Sequence, residues 1–180
     1  LVTAGPTIES IDPIRYISNN SSGKQGYEIA KQLMLQGGKV TLISGPTNLQ
    51  PPNNVKLIKV QNADQMKNAV EKNKNVSIAV FTAAVSDISP RKINKHKIKK
   101  NKLSKIFLKK NPDIIKAISM TKKNQSKYIV GFAAETENHI INGKKKLIEK
   151  NCDLIVVNKI NKTNNVFGSE FNRVSMITKN

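Results

Sequence analysis

Short runs of apolar, β-branched residues alternate along this sequence with segments of helical period, and few folds other than a parallel sheet flanked by helices satisfy that alternation. LVTA at 1–4, KVTLIS at 39–44, VKLIKV at 55–60, VSIAVFTAA at 76–84, YIVGFAAE at 128–135 and DLIVVN at 153–158 read as strands, with a weaker one, RVSMIT, at 173–178. The run at 76–84 is apolar almost throughout, as a strand covered on both faces must be. Ile29, Leu33 and Leu35 give one apolar face to a helix over 24–36, which Gly37 and Gly38 stop. Asn62 with Gln65 forms a capping box for a helix to Lys72, and Pro112 opens another that runs to Met120. A further helix fills the interval from Glu135 to Lys150. The alternation breaks once, at KIKKNKLSKIFLKK (97–110), where lysine interleaves with Ile, Leu and Phe and a two-stranded antiparallel excursion is expected. The expected architecture is α/β: a three-layer, Rossmann-like, mostly parallel sheet with helices on both faces and an antiparallel flap at about 92–110, in one domain spanning 1–180.

The net charge of +19 makes a polyanion the first partner to weigh. Nearly all of it is lysine, however, with Arg15, Arg91 and Arg173 as the arginines, and aromatic residues that would stack on bases make up only 4% of the chain. Most of the charge therefore reads as solvated surface, and no nucleic-acid partner is expected. No apolar run reaches the length of a membrane span and no signal peptide opens the sequence, so a cytoplasmic protein without membrane contact is expected. The lone Cys152 excludes an internal disulfide and, lying before an apolar strand, reads as an inert thiol. The first residue is Leu and not Met, and an excised domain or a piece of a longer product is the expectation.

In an open parallel sheet, ligands bind beyond the carboxyl ends of the strands. Those ends read TAGPT, SGPTN, TAAVSD, GFAAET and VVN, all small residues, hydroxyls and amides that let a ligand approach the backbone. About twenty residues separate the first strand from its helix, and loops that long inside a compact domain are more often functional than not; a surface Ω-loop is the plainer alternative. This loop closes with YISNNSSGKQG at 16–26. It is no Walker A loop, because Ser18 stands where the first glycine belongs and Gln25 where the hydroxyl residue belongs. It also lacks the dinucleotide fingerprint GxGxxG. Arg15, Ser18, Asn19, Ser21 and Ser22 nonetheless supply donors without carboxylates, suited to an anion or a carbonyl oxygen. Asp87 and Glu135 are the acidic residues within the small-residue ends after the central strands, and Asp87 is the candidate for the Mg²⁺ that accompanies a triphosphate. Either also suits a helix or turn cap. Lys146 and Lys150 share a helix face and could both reach phosphates, although such a pair is commonly a solvated face. His96 and His139 lack partners at metal-ligand spacing, so zinc is not expected.

TAGPTIESIDPIRYISNNSSGKQGYEIA, VTLISGP, AAVSD, KIKK, NPDII, GFAAET with the following lysine helix, and DLIVVN occur in this order along nearly the whole chain. In that ordered set the sequence resembles the bacterial phosphopantothenate-cysteine ligases, also called phosphopantothenoylcysteine synthetases. The resemblance implies an enzyme of coenzyme A biosynthesis that joins L-cysteine to 4'-phosphopantothenate, with CTP activating the carboxylate as an acyl-cytidylate and pyrophosphate leaving. It places nucleotide contacts on Phe81, Thr82, Ala83, Asp87, Lys97, Pro112, Asp113, Ile114, Ile115, Phe132, Lys146 and Lys150. Arg15 and Asn19 are implied at the acyl group, and Lys97 joins them as a catalytic residue of the flap. The resemblance also implies a homodimer whose flap closes a site near the subunit boundary. Family members often carry a flavin-dependent decarboxylase, and its FMN, ahead of the ligase; neither that domain nor the C-terminal helical tail is in this sequence, so decarboxylation is not expected of it. Gln25 replaces the family's more frequent Met, a change expected to affect packing.

Two other classes remain open on the residues alone. An RNA-binding module would show affinity falling steeply with salt and no CTP-dependent chemistry. A dehydrogenase is disfavoured by the missing fingerprint and by the absence of an acidic residue at the end of KVTLIS.

Overall fold

A computed structural model describes residues 1–100, 105–120, 127–160 and 172–179. Within them the alternation of the sequence becomes a sheet of β1 (Val2–Ala4), β4 (Thr41–Ser44), β5 (Lys56–Lys59), β6 (Ile78–Phe81), β9 (Tyr128–Glu135), β10 (Leu154–Lys159) and β11 (Val174–Thr178). The spatial order is β11-β10-β9-β6-β1-β4-β5. Every pairing is parallel except β10 with β11. Successive parallel strands thus build outward from β1 in one direction through β4 and β5, and the chain then returns to build the other way from β6. This is the Rossmann arrangement, and the reversal falls between β1 and β6.

Apolar burial explains which helix covers which face. Tyr27 and Ala30 of α1 (Lys24–Leu35) pack on Val2, Ala4, Leu42 and Val80. On the opposite face, Met66 and Val70 of α2 (Ala63–Lys72), Ile114 and Ile118 of α3 (Ile114–Met120) and Leu147 of α4 (His139–Glu149) share a core with Ile43, Phe81, Ile129 and Ile155. Asn62 caps α2 as expected, accepting from the Gln65 N–H at 2.9 Å, while the Gln65 side chain accepts from the Gln61 N–H at 2.7 Å. α1 ends at Leu35, one residue before the expected stop, with Gly37 at φ 85° donating its N–H to the Met34 carbonyl.

Two departures from the expected fold lie outside the main sheet. The long loop after β1 contains a hairpin, β2 (Ile8–Ser10) paired antiparallel with β3 (Tyr16–Ser18). The excursion after β6 is a pairing of β7 (Ile88–Pro90) with β8 (Leu108–Lys110). Its first strand therefore begins ahead of the flap limits read from the sequence, and among the described residues 97–107 form no strand. β2 packs against β7, so hairpin and flap base form one projection beyond the sheet. Strands of three residues carry too little periodicity to be read locally; tertiary bonds such as Ile8 N–H to the Gln61 carbonyl at 2.7 Å hold them. The middle of the expected flap, 101–104, lies outside the described residues.

Candidate active site at the topological switch point

The carboxyl ends of β1 and β6 are stitched together by buried threonine hydroxyls. The Thr3 hydroxyl accepts from the Ala83 N–H at 3.3 Å and the Thr7 hydroxyl from the Ser86 N–H at 2.9 Å, both residues being buried. The Thr82 hydroxyl donates to the Thr3 carbonyl at 2.6 Å, and the Ala84 N–H to the Gly5 carbonyl at 2.9 Å. These bonds hold residues 82–86 as a shelf.

α1 begins directly over that shelf. Its N-cap, Gly23, has φ 78°, a left-handed conformation that suits glycine, and it makes no side-chain capping bond. A Cβ on Gly26 would come within 2.4 Å of the Thr82 hydroxyl oxygen and 2.5 Å of the Ala4 Cβ, so only glycine lets the helix sit this low on the strands. The first turn carries no acidic residue. The close turn and close helix approach that a dinucleotide fingerprint supplies are thus present at Gly23 and Gly26, displaced from β1 by the inserted hairpin.

Cavities open on either side of the shelf. The larger, about 710 Å³, lies on the α1 side and is bounded by Ser21, Ser22, Gly23, Lys24, Thr82 and Asn158 among others. The smaller, about 210 Å³, lies on the α3 side and is lined by Phe81, Asp87, Asn111, Pro112, Asp113, Ile114, Ile115 and Lys150. Both are lined by Ala83, Ala84 and Phe132. Asn19 reaches this shared edge, its amide donating to the Ala84 carbonyl at 3.0 Å. Asn111 ties the Asp87 loop to the start of α3: its N–H donates to the Asp87 carbonyl at 2.8 Å, its side-chain amide donates to the Ser86 carbonyl at 2.9 Å, and its Oδ1 accepts from the Ser89 hydroxyl at 2.7 Å.

Most of the residues expected to contact a nucleotide are therefore gathered around one small cavity, with Thr82 on the adjoining larger one. Lys146 and Lys97 line neither. Lys146 contacts Glu135 at 2.5 Å, while Lys150 stands 3.4 Å from Asp113, so each lysine expected at the phosphates has a carboxylate beside it. Burial pushes the Glu135 carboxyl up, but hydrogen bonds from Lys146 and Asn142 and the Lys146 charge outweigh it and hold it below its ordinary value. Arg15 also lines neither cavity. Its guanidinium is paired with the buried Asp12 and donates to the Ile98 carbonyl at 2.8 Å. Lys97 is exposed next to that contact. The strand end TAGPT and the motif NPDII were legible as site segments, but the bonds that Thr3, Thr7 and Asn111 make to backbone and side chains far along the chain were not, because they leave no local pattern. Asp12 carried a local signal, an Asp three residues before Arg with Pro between, typical of an Asx turn.

No set of three His, Cys, Asp or Glu side chains capable of holding a metal ion occurs among the described residues. Mg²⁺ arriving with a triphosphate needs only one or two carboxylates, and Asp87 and Asp113, both on the smaller cavity, fit that requirement. Among the described residues no helix is long and apolar enough to cross a membrane.

Residues 1–180 match the family model described as DNA/pantothenate metabolism flavoprotein C-terminal domain. The chain belongs to this family. It is 43% identical over 184 residues to the coenzyme A biosynthesis bifunctional protein CoaBC of Borreliella burgdorferi, covering 99% of this chain and 46% of that protein. The chain thus spans about half the length of the curated relatives it matches. The crystal structure of the C-terminal domain of a CoaBC protein superposes with a TM-score of 0.80 at 39% identity, over 98% of this chain and 79% of that one. A mutant Cab2, in complex with phosphopantothenate-cysteine, shares the fold at a TM-score of 0.81 and 17% identity, over 98% of this chain and 75% of that one.

Proposed function

We propose that this domain joins L-cysteine to 4'-phosphopantothenate in coenzyme A biosynthesis, using CTP and passing through an acyl-cytidylate, as a cytoplasmic homodimer. The observation that carries the reading is the pair of cavities with a common edge at Ala83, Ala84 and Phe132. A reaction that joins an acyl chain to a nucleotide α-phosphate needs two binding volumes meeting at the reacting atoms. The smaller cavity takes the nucleotide; the larger, which Glu28 also lines, takes the phosphopantothenate, whose phosphate meets the serine-flanked first turn of α1, where no acidic residue stands. Membership of the family and identity to CoaBC proteins support the assignment.

In the first step a carboxylate oxygen of phosphopantothenate attacks the α-phosphorus, and the bond to pyrophosphate breaks. Negative charge gathers on the leaving group, and Lys150, Lys146 and Lys97 are the cations to meet it. Lys146 and Lys150 exchange carboxylate partners for phosphate oxygens, while Lys97 extends toward the leaving group from the chain held beside Arg15. Asp87 and Asp113 would hold Mg²⁺ arriving with the triphosphate, and the ion would supply further charge neutralisation. In the second step the cysteine amine attacks the acyl carbonyl and CMP leaves. Asn19, whose amide donates one hydrogen to the Ala84 carbonyl at the common edge, uses its other to stabilise the developing oxyanion. Arg15 positions this assembly without lining a cavity.

The deciding measurement is pyrophosphate release with phosphopantothenate, cysteine and either CTP or ATP. Turnover with CTP well above that with ATP is expected; equal turnover removes the nucleotide preference, and none with either removes the ligase assignment.

A further inference from the structure

The turn between β2 and β3 holds a carboxylate whose contacts exceed what a turn requires. Asp12 has no side-chain exposure. Its Oδ1 accepts from the backbone N–H groups of Ile14 and Arg15, each at 2.9 Å, which is all an Asx-type turn needs. Its Oδ2 does something else. It accepts from the Arg15 Nε at 3.0 Å, from the Arg15 Nη2, and from the N–H of Ile98 at 3.1 Å, 86 residues along the chain. The Arg15 Nη2 then donates to the Ile98 carbonyl at 2.8 Å. Both polar backbone groups of Ile98 are thereby held by one ion pair. Asn94 donates its N–H to the Ile11 carbonyl at 3.0 Å, giving the same strand of chain a second attachment to the same turn.

We propose that Asp12 is a positioning residue for the ligase reaction: through Arg15 and the Ile98 peptide it fixes the backbone from which Lys97 reaches the leaving pyrophosphate. The inference rests on the function proposed above. Lys97 lies between the two attachment points, Asn94 and Ile98, so where its ammonium can stand is set by the β2–β3 turn. A carboxylate is required. An amide at this position would keep one acceptor for the turn but turn its N–H₂ toward the guanidinium, removing the charge that orients Arg15 and the acceptor for the Ile98 N–H. The hydrogen bond from Arg15 holds the Asp12 carboxyl far below the ordinary carboxylate range, with burial opposing it and the backbone donors assisting, so the group is ionised at any working pH.

The test is a double-mutant cycle on pyrophosphate release, in wild type, Asp12→Asn, Lys97→Gln and the double variant. Displacing a catalytic group by about 1 Å costs on the order of 10²-fold, and Asp12→Asn should lower kcat by an amount of that order. In the Lys97→Gln background the same change should cost nothing further, because the residue it positions has already lost its charge. Amide hydrogen exchange gives a second readout: Asp12→Asn should release Ile98 and Asn94 while Thr3 and Val80 in the central strands stay protected. Should Asp12→Asn fail to fold, Arg15→Gln, which keeps both Oδ1 turn bonds, enters the cycle in its place with the same expectation. Losses that multiply in the double variant, or an unchanged kcat in Asp12→Asn, overturn the proposal. Wild-type protein that turns over with neither nucleotide removes the underlying function instead, and the positioning role with it.

Discussion

Lys97→Gln keeps nearly the length of the side chain and removes its charge, whereas Asn19→Asp keeps the shape and replaces a donor with a negative charge, so the two variants separate the half-reactions. Loss of the Lys97 charge should stop acyl-cytidylate formation itself, by about 10²- to 10³-fold, with nothing accumulating. Asn19→Asp should let the intermediate build up, because a carboxylate repels the oxyanion formed when cysteine attacks. Rapid quench with mass detection of phosphopantothenoyl-CMP reads both, and the opposite pattern would reverse the roles. Cys152 makes a different kind of prediction. Burial pushes its thiol up to about 11 from 9.0, Lys150 opposing slightly. The folded state thus holds the proton more tightly than the unfolded chain does, so its contribution to stability is intact below pH 9 and is lost as the pH rises toward 11. Thermal melts across that range should show a smaller alkaline loss for Cys152→Ala than for wild type. The thiol should also resist alkylation in the native protein, as its burial requires.

At the scale of elements, the start of α1 decides whether the larger cavity exists. Gly26→Ala would drive a methyl group into Thr82 and Ala4, so either the helix lifts or the strand end shifts. Overpacking of this kind costs about 1–3 kcal/mol, and here it should also weaken phosphopantothenate binding, visible as a raised KM for that substrate with a smaller change for CTP. A melt reduced with an unchanged KM would separate the packing from the site. The apolar exposed residues of the projection carry a second prediction. Tyr16 of β3 is 57% exposed and Phe107, just before β8, 71% exposed, with Ile14 and Leu108 beside them in the sequence. We assign these exposed apolar groups on the two paired segments of the projection to the contact of the proposed homodimer. Phe107→Asp should shift the protein toward monomer in analytical ultracentrifugation, and a fully active monomeric wild type would contradict the dimer.

At the scale of the whole molecule, the proposed substrates are anions and the chain is strongly cationic. A net charge of +19 should raise association rates for CTP and phosphopantothenate, so kcat/KM should fall as ionic strength rises while kcat changes little. RNA binding with steep salt dependence and no CTP turnover is the outcome that would favour a binding module instead.

Strand and helix order were fixed by the chain's own periodicity, because apolar runs such as 76–84 and amphipathic faces such as that of α2 bury only one way in a parallel sheet. The ordered motifs carried the family, and small-residue strand ends pointed to the switch point. What local patterns could not carry was decided in three dimensions. Residues from 3 to 150 meet around a shared shelf, Lys146 and Lys150 acquire carboxylate neighbours, and Arg15 pairs with Asp12 and donates to the Ile98 carbonyl. The three-residue strands of the projection, and the partners of Asp12, exist only because distant backbone groups need acceptors, and a hydrogen bond across 86 positions leaves no period in the sequence to read.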